Sequence, residues 1–144
     1  MGNAMRDIAL LVGRVPLAAL YLESSVGKFG VLGGVADGLA AKGYPAALLL
    51  AVLAAGGEFA GAVGVALGLC TRVAALGLVV FTVLATLSFH NFWAFDDAAR
   101  DGQYLHFMKN LGLVGGLLIL AAAGSGRFSL NAWRARRTRP QIEV

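Results

Sequence analysis

Glu58, His90 and Lys109 are the side chains of this 144-residue chain best suited to moving a proton or steadying a charge, and each interrupts a long apolar run. A carboxyl group can exchange a proton with a ligand, an imidazole can hydrogen-bond a carbonyl, and an ammonium can steady a developing oxyanion. Around these three catalytic candidates stand residues that could hold a ligand: Lys28 and Glu23 at the end of the first apolar run, Asn91 and Trp93 after His90, and His106 and Asn110 beside Lys109. On a helix His106 and Asn110 share a face, as do Ser24 and Lys28, whereas Glu23 and Lys28 lie about 140° apart and are poor partners for each other.

Each residue also has a purely structural use. Glu58 falls about 18 Å into its apolar run at 1.5 Å per residue. A charged carboxylate at that depth costs several kcal/mol unless it is protonated or paired (roughly 3 kcal/mol on insertion scales). Glu58 therefore either ties helices together or handles a proton or ligand. Lys109 could snorkel to the interface. Thr82, Thr86 and His90 recur every four residues, and the threonines either bond their own backbone carbonyls or line a water path. Arg14 has a structural role, pairing with Asp7 or reaching lipid phosphates. His90, His106, Asp96, Asp97 and Asp101 form no tight ligand motif, and no metal is assigned.

The elements that must position these residues follow from composition. Hydrophobic residues make up 58% of the chain and charged residues only 14%, with mean hydropathy +0.75; a soluble domain carries roughly a quarter charged residues. The apolar residues gather into runs at about 8–27, 46–69, 73–90 and 105–124, each near the ~20 residues that span a bilayer. The fold class is therefore all-α, an integral membrane four-helix bundle occupying residues 1–126, followed by a basic tail over 127–144. The first run is too long for the apolar core of a secretory signal, carries Glu23 and lacks a small-x-small cleavage site, so it is retained as a helix.

Arg6, Arg72 and the tail arginines Arg127, Arg134, Arg136, Arg137 and Arg139 fall on one side of such a bundle. Asp37, Lys42, Asp96, Asp97, Arg100 and Asp101 fall on the other. The positive-inside rule places both termini in the cytoplasm and His90 at the outer face. The same rule makes the tail a topology signal beside the lipid bilayer, with no nucleic acid partner. Cys70 is the single cysteine, which excludes an intramolecular disulfide, a C-x-x-C redox pair and a thiolate metal cage. A redox role would need a bound cofactor, a quinone or a partner protein.

Gly57, Gly61, Gly64 and Gly68 make one helical stripe, and Gly112 and Gly116 another, which lets helices approach closely. A ligand could use the same gaps. The 28–45 connection, rich in glycine and apolar residues, suits a half-buried or re-entrant segment. Phe89, Phe92, Trp93, Phe95 and Tyr104 fit an interfacial aromatic belt.

With "LYLESSVGKFG", "GGEFAGAVGVALGLCTRVAAL", "LSFHNFW" and "FMKNLGLVGGLLIL" in this order, residues 8 to 124 resemble the DoxX family of small bacterial inner-membrane proteins. Lys28, Glu58, Thr71, Arg72, His90, Lys109 and Asn110 match recurrent positions of that family; Glu23 stands where small or apolar residues are usual. The resemblance implies a four-helix inner-membrane protein linked to quinone-dependent sulfur oxidation or to quinone stress, in some relatives as a subunit of a thiosulfate:quinone oxidoreductase. No nucleotide fingerprint, haem motif or redox cysteine in this chain supports catalysis on its own.

The expected function is a redox-linked subunit that binds a quinone or similar small lipophile in an outward-facing polar pocket. Glu23, Lys28, His90, Asn91, His106, Lys109 and Asn110 would surround it and Glu58 would form its floor. One alternative is a proton-coupled small-molecule carrier that uses Glu58 and the Thr82, Thr86 and His90 stripe. Another is a non-catalytic scaffold for a redox-enzyme partner, and glycines left over from bundle packing would allow a homodimer.

Overall fold

The computed structural model describes residues 2–138; Arg139 and the rest of the tail lie outside them. The helices are α1 (Gly2–Gly30), α2 (Leu32–Ala41), α3 (Ala47–Leu67), α4 (Thr71–Phe89), α5 (Asp97–Ala123) and α6 (Leu130–Arg137), with one 3-10 turn at Phe92–Ala94. The four longest, α1, α3, α4 and α5, are long and apolar enough to cross a membrane. Val12, Leu48, Val73 and Ile119 on their outer faces are exposed, as expected for surfaces solvated by lipid rather than water.

The helices depart from the apolar runs in three places, the first being α1, which begins at Gly2 rather than near residue 8. Helix α5 starts at Asp97, well before the hydrophobic residues begin, because extended Asp96 caps it by accepting the Ala99 N–H at 3.4 Å and Asp97 suits the positive N-terminal end. Asp97, Arg100 and Asp101 are thus helical rather than loop residues. The 28–45 connection is not irregular: it contains α2, which buries Ala36 and Leu39 against Ala51, with Leu50 and Phe89 beside them. Phe89 therefore packs inward on α2, while Phe92 clusters with Trp93, Tyr104 and Phe107 through edge-to-face contacts.

Helices α3 and α4 form a tight hairpin. Gly68 (φ +68°) and Cys70 (φ +42°) take left-handed conformations, and the Leu69 N–H returns to the Gly64 carbonyl at 2.8 Å. Close to this turn the glycine stripe is filled: a Cβ on Gly61 would lie 2.8 Å from Leu78, and one on Gly64 2.9 Å from Ala74. Gly116 faces Leu17, but Gly112 and Gly57 meet nothing within 4 Å. The stripe is thus a packing face over most of its length and open at Gly57.

The chain termini meet at this same end. Arg6 donates to the Ala123 carbonyl at 3.1 Å, the Arg127 N–H donates to Asp7 at 3.1 Å, and the Asn131 N–H reaches the Gly68 carbonyl at 3.3 Å. Arg72 lies beside Gly124. Arg14 has the structural role expected of it, but its partner is not Asp7. It is 3% exposed, and its guanidinium donates to the carbonyls of Ser125, at 2.5 Å, and Phe128. The chain bends back at Gly124 and Gly126, both at positive φ, and so presents those carbonyls to Arg14. The main core, Ala18, Tyr21, Ala62, Val65, Ala75, Leu78, Leu117, Leu120 and Ala121, lies toward this end.

Candidate functional site

Away from the hairpin turn the bundle is hollow. A cavity of about 750 Å³ lies between α1, α2, α3 and α4 and reaches α5 at Lys109, Asn110 and Leu113. It falls within the ordinary size range of small-molecule sites. Its walls are mainly aliphatic and aromatic, and its polar groups are few.

The principal polar feature is an ion pair between Lys28 Nζ and Glu58 Oε2 at 2.9 Å. Glu58 is 1% exposed, so burial as an unpaired charge would be costly, and Lys28 from α1 removes much of that cost. Lys28 also donates to Ser24 Oγ at 2.6 Å, the i, i+4 pair expected from the sequence, and lies over the Phe81 ring at 5.6 Å. An ammonium carries three N–H donors and a carboxylate two acceptor oxygens. The contacts to Glu58 and Ser24 therefore leave one Lys28 donor, and Glu58 Oε1 has no protein partner among the described residues. Both residues line the cavity, so the pair offers a ligand one donor and one acceptor side by side.

Beneath and beside this pair the threonine stripe is consumed structurally. Thr82 donates to the Leu78 carbonyl at 2.7 Å and Thr86 to the Thr82 carbonyl at 2.6 Å. Each hydroxyl has a single proton, so Thr82 must accept from Tyr21, at 2.6 Å, and Thr86 from Asn110, at 2.8 Å. The result is a cross-link of α4 to α1 and α5 rather than a water file.

At the α2 end, His90 and Lys109 both line the cavity. His90 Nδ1 lies 2.8 Å from Gln103 Oε1. An amide oxygen only accepts, so in the neutral ring this contact puts the proton on Nδ1 and leaves Nε2 as an acceptor. His106 stacks on His90 with ring centroids 4.9 Å apart. Tyr44 and Ser88 are bonded at 2.8 Å across the same end.

Of the residues singled out in the sequence, Lys28, Glu58, His90, Lys109 and Asn110 come together around one cavity. The other four do not line it. Glu23 is exposed on the opposite side of α1, as its angular offset from Lys28 requires. Trp93 packs on Phe92 and Phe107, His106 supports His90 from outside, and Asn91 follows the end of α4. No group of three metal-ligating side chains occurs among the described residues.

Tyr21, Ser24, Tyr44 and Gln103 belong to the site without having been expected there as ligand contacts. Tyr21, Ser24 and Lys28 stand at i, i+3 and i+7, so a face-by-face reading of the first run would have found the first two. Gln103 lay hidden in a polar stretch that reads as loop.

Known proteins agree with this architecture. The DoxX family model matches residues 9–91. The chain is 32% identical over 127 residues to inner membrane protein YqjF of Escherichia coli, covering 88% of this chain and 92% of that one. It is 27% identical over 129 residues to inner membrane protein YphA of the same organism, covering 90% and 92%. Over 71 residues it is 28% identical to the yeast ER-derived vesicles protein ERV29, covering 49% of this chain and 23% of that one. No solved structure matches the chain. The family match, the two bacterial relatives and the four membrane-spanning helices make this chain an integral inner-membrane protein of the DoxX family.

Proposed function

We propose that the protein binds the polar head of a quinone or a similar small lipophile in the cavity, as a redox-linked membrane subunit. The observation that carries this reading is the Lys28–Glu58 pair, with Glu58 buried, in a mainly apolar cavity and with one donor and one acceptor unspent. A quinone carbonyl accepts a hydrogen bond and the corresponding quinol hydroxyl donates one. Lys28 suits the first form and Glu58 the second, so one site serves both oxidation states. His90 Nε2 offers a second acceptor toward the α2 end, and Lys109 a cation at its rim.

The positive-inside rule puts the end that gathers Arg6, Arg72 and the tail arginines in the cytoplasm, so that the α2 end, with His90 and Lys109, faces outward. Because the chain has one cysteine and none of the usual redox-cofactor motifs, electrons would come from a partner redox protein, and this chain would hold and protonate the acceptor. The test is titration of the full chain in lipid nanodiscs, under reducing conditions, with decylubiquinol, the reduced form whose hydroxyl donates to Glu58. Wild type is expected to bind saturably and Glu58→Gln about tenfold more weakly, the value of one charge-assisted hydrogen bond. Equally weak binding by both would overturn the reading.

A further inference from the structure

Helices α3 and α4 touch closely beside their hairpin turn and then diverge. Gly61 is against Leu78 and Gly64 against Ala74, whereas Gly57, one turn beyond Gly61 on α3, meets nothing within 4 Å; Gly77 lies beside Leu78 at the level of the contact but on a neighbouring face of α4, where it too meets nothing, and both glycines line the cavity. Leu53, Val80 and Leu84 also line it, yet they are 60%, 60% and 61% exposed. A side chain that is at once cavity wall and outer surface of a membrane-spanning helix marks a place where the cavity is open to the side. At the α2 end, by contrast, Phe89 packs on α2 with Lys42 over its ring at 5.3 Å, and Tyr44 is bonded to Ser88. Gly57 is the residue next to Glu58, near the middle of α3, so the gap lies at the depth of the hydrocarbon core.

From this geometry, and resting on the reading of the Lys28–Glu58 pair as a head-group site, we infer that the cavity is loaded sideways from the bilayer through a gap between α3 and α4 edged by Gly57 and Gly77. The ligand class follows: a molecule already dissolved in the membrane, with a small head able to accept from Lys28 and donate to Glu58 and a flexible apolar tail left lying between Leu53, Val80 and Leu84. Water-soluble solutes have no polar lining to follow through this gap. The glycines serve as gateposts because any side chain at either position would project into the opening.

Two measurements on the full chain in nanodiscs separate this route from the head-group site. In a Cys70→Ser background, a spin label on Gly77→Cys should collide more with dissolved oxygen, which concentrates in lipid, than with a water-confined nickel chelate. Dominance of the chelate would overturn the lateral opening whatever the cavity binds. In the second measurement, Gly77→Phe and Gly57→Leu should slow decylubiquinone association about tenfold, within the range over which access changes on-rates, while Gly112→Phe, also in open space but off the cavity, leaves it unchanged. The tail-less parent, 2,3-dimethoxy-5-methyl-1,4-benzoquinone, should bind far more weakly than decylubiquinone to wild type. If Glu58→Gln weakens decylubiquinol binding but both plugs leave the decylubiquinone association rate intact, the route is wrong and the head-group site stands. If the label reports lipid and no variant or wild type binds decylubiquinone, the opening stands and the head-group reading falls.

Discussion

Two charges are buried in this bundle, Arg14 toward one end and Glu58 near the middle, and they are buried in opposite ways. Where the first and last described helices meet, Arg14 is held by backbone, its terminal nitrogens donating to the Ser125 and Phe128 carbonyls and its Nε buried without a partner, and Gly68 is pressed against Arg14 and Ser129 with no space left. Nearer the middle, Glu58 is as deeply buried, but its partner is a single flexible lysine and its neighbour Gly57 faces a cavity of about 750 Å³. Backbone carbonyls surrounding a cation leave nothing for a ligand to do. An ion pair with an unspent donor and acceptor beside empty space leaves a great deal. The same polar-in-apolar problem is thus solved once for stability and once, on our reading, for binding.

Substitutions that break the contrast should rank by how little room the site has. Arg14→Met strips the Ser125 and Phe128 carbonyls, both in partly buried hydrogen bonds, of charged donors worth about 1.5–3 kcal/mol each. It should lower the melting temperature in detergent more than any substitution at the cavity, and Gly68→Ala should follow it closely. Lys28→Met leaves a buried carboxylate unpaired, a loss of about 3–5 kcal/mol when the remaining charge cannot escape. Protonation of Glu58 limits that loss, and the double variant Lys28→Met/Glu58→Gln should recover most of it in a double-mutant cycle. If the double variant is as unstable as the sum of the singles, the pair is not coupled as the 2.9 Å contact requires.

Smaller effects sharpen the comparison along a single stripe. Gly61→Ala drives a methyl into Leu78 and should cost about 1–3 kcal/mol from overpacking. Gly57→Ala meets open space and should be neutral or stabilise by up to about 1 kcal/mol through helix propensity. Equal melting shifts for the two would mean that α3 and α4 do not part where the structure places the gap. Smallest of all, Glu23→Gln and Trp93→Phe, both off the cavity, should shift stability by no more than about 0.5 kcal/mol and leave decylubiquinone affinity unchanged.

The contrast also explains what could be read from the sequence. The spans were legible because lipid imposes a long apolar run on each, and Glu58 was legible because a carboxylate in such a run has no cheap explanation. Its partner was harder to see, since the contact between Lys28 and Glu58 joins α1 to α3 and leaves no trace in local spacing. Helix α2 was obscured by its glycines, and the start of α5 by the charged residues Asp97, Arg100 and Asp101, which read as loop until Asp96 is recognised as a cap. Arg14 looked like an interfacial cation because nothing in the sequence shows that Gly124 and Gly126 turn the chain back over it. What was missed is tertiary for the partner of Glu58 and for Arg14, and local for α2, for the start of α5 and for Tyr21, whose spacing to Lys28 was already present.

The measurement that bears most directly on the head-group site is the equilibrium affinity of decylubiquinol, the form that donates to Glu58, for nanodisc-embedded wild type and Glu58→Gln, taken at matched thermal stability. Micromolar, saturable binding by wild type that weakens about tenfold in Glu58→Gln, a difference of ~1.4 kcal/mol, is the predicted result. Binding of equal strength in the two proteins, or none in either, would contradict a head-group site at the Lys28–Glu58 pair.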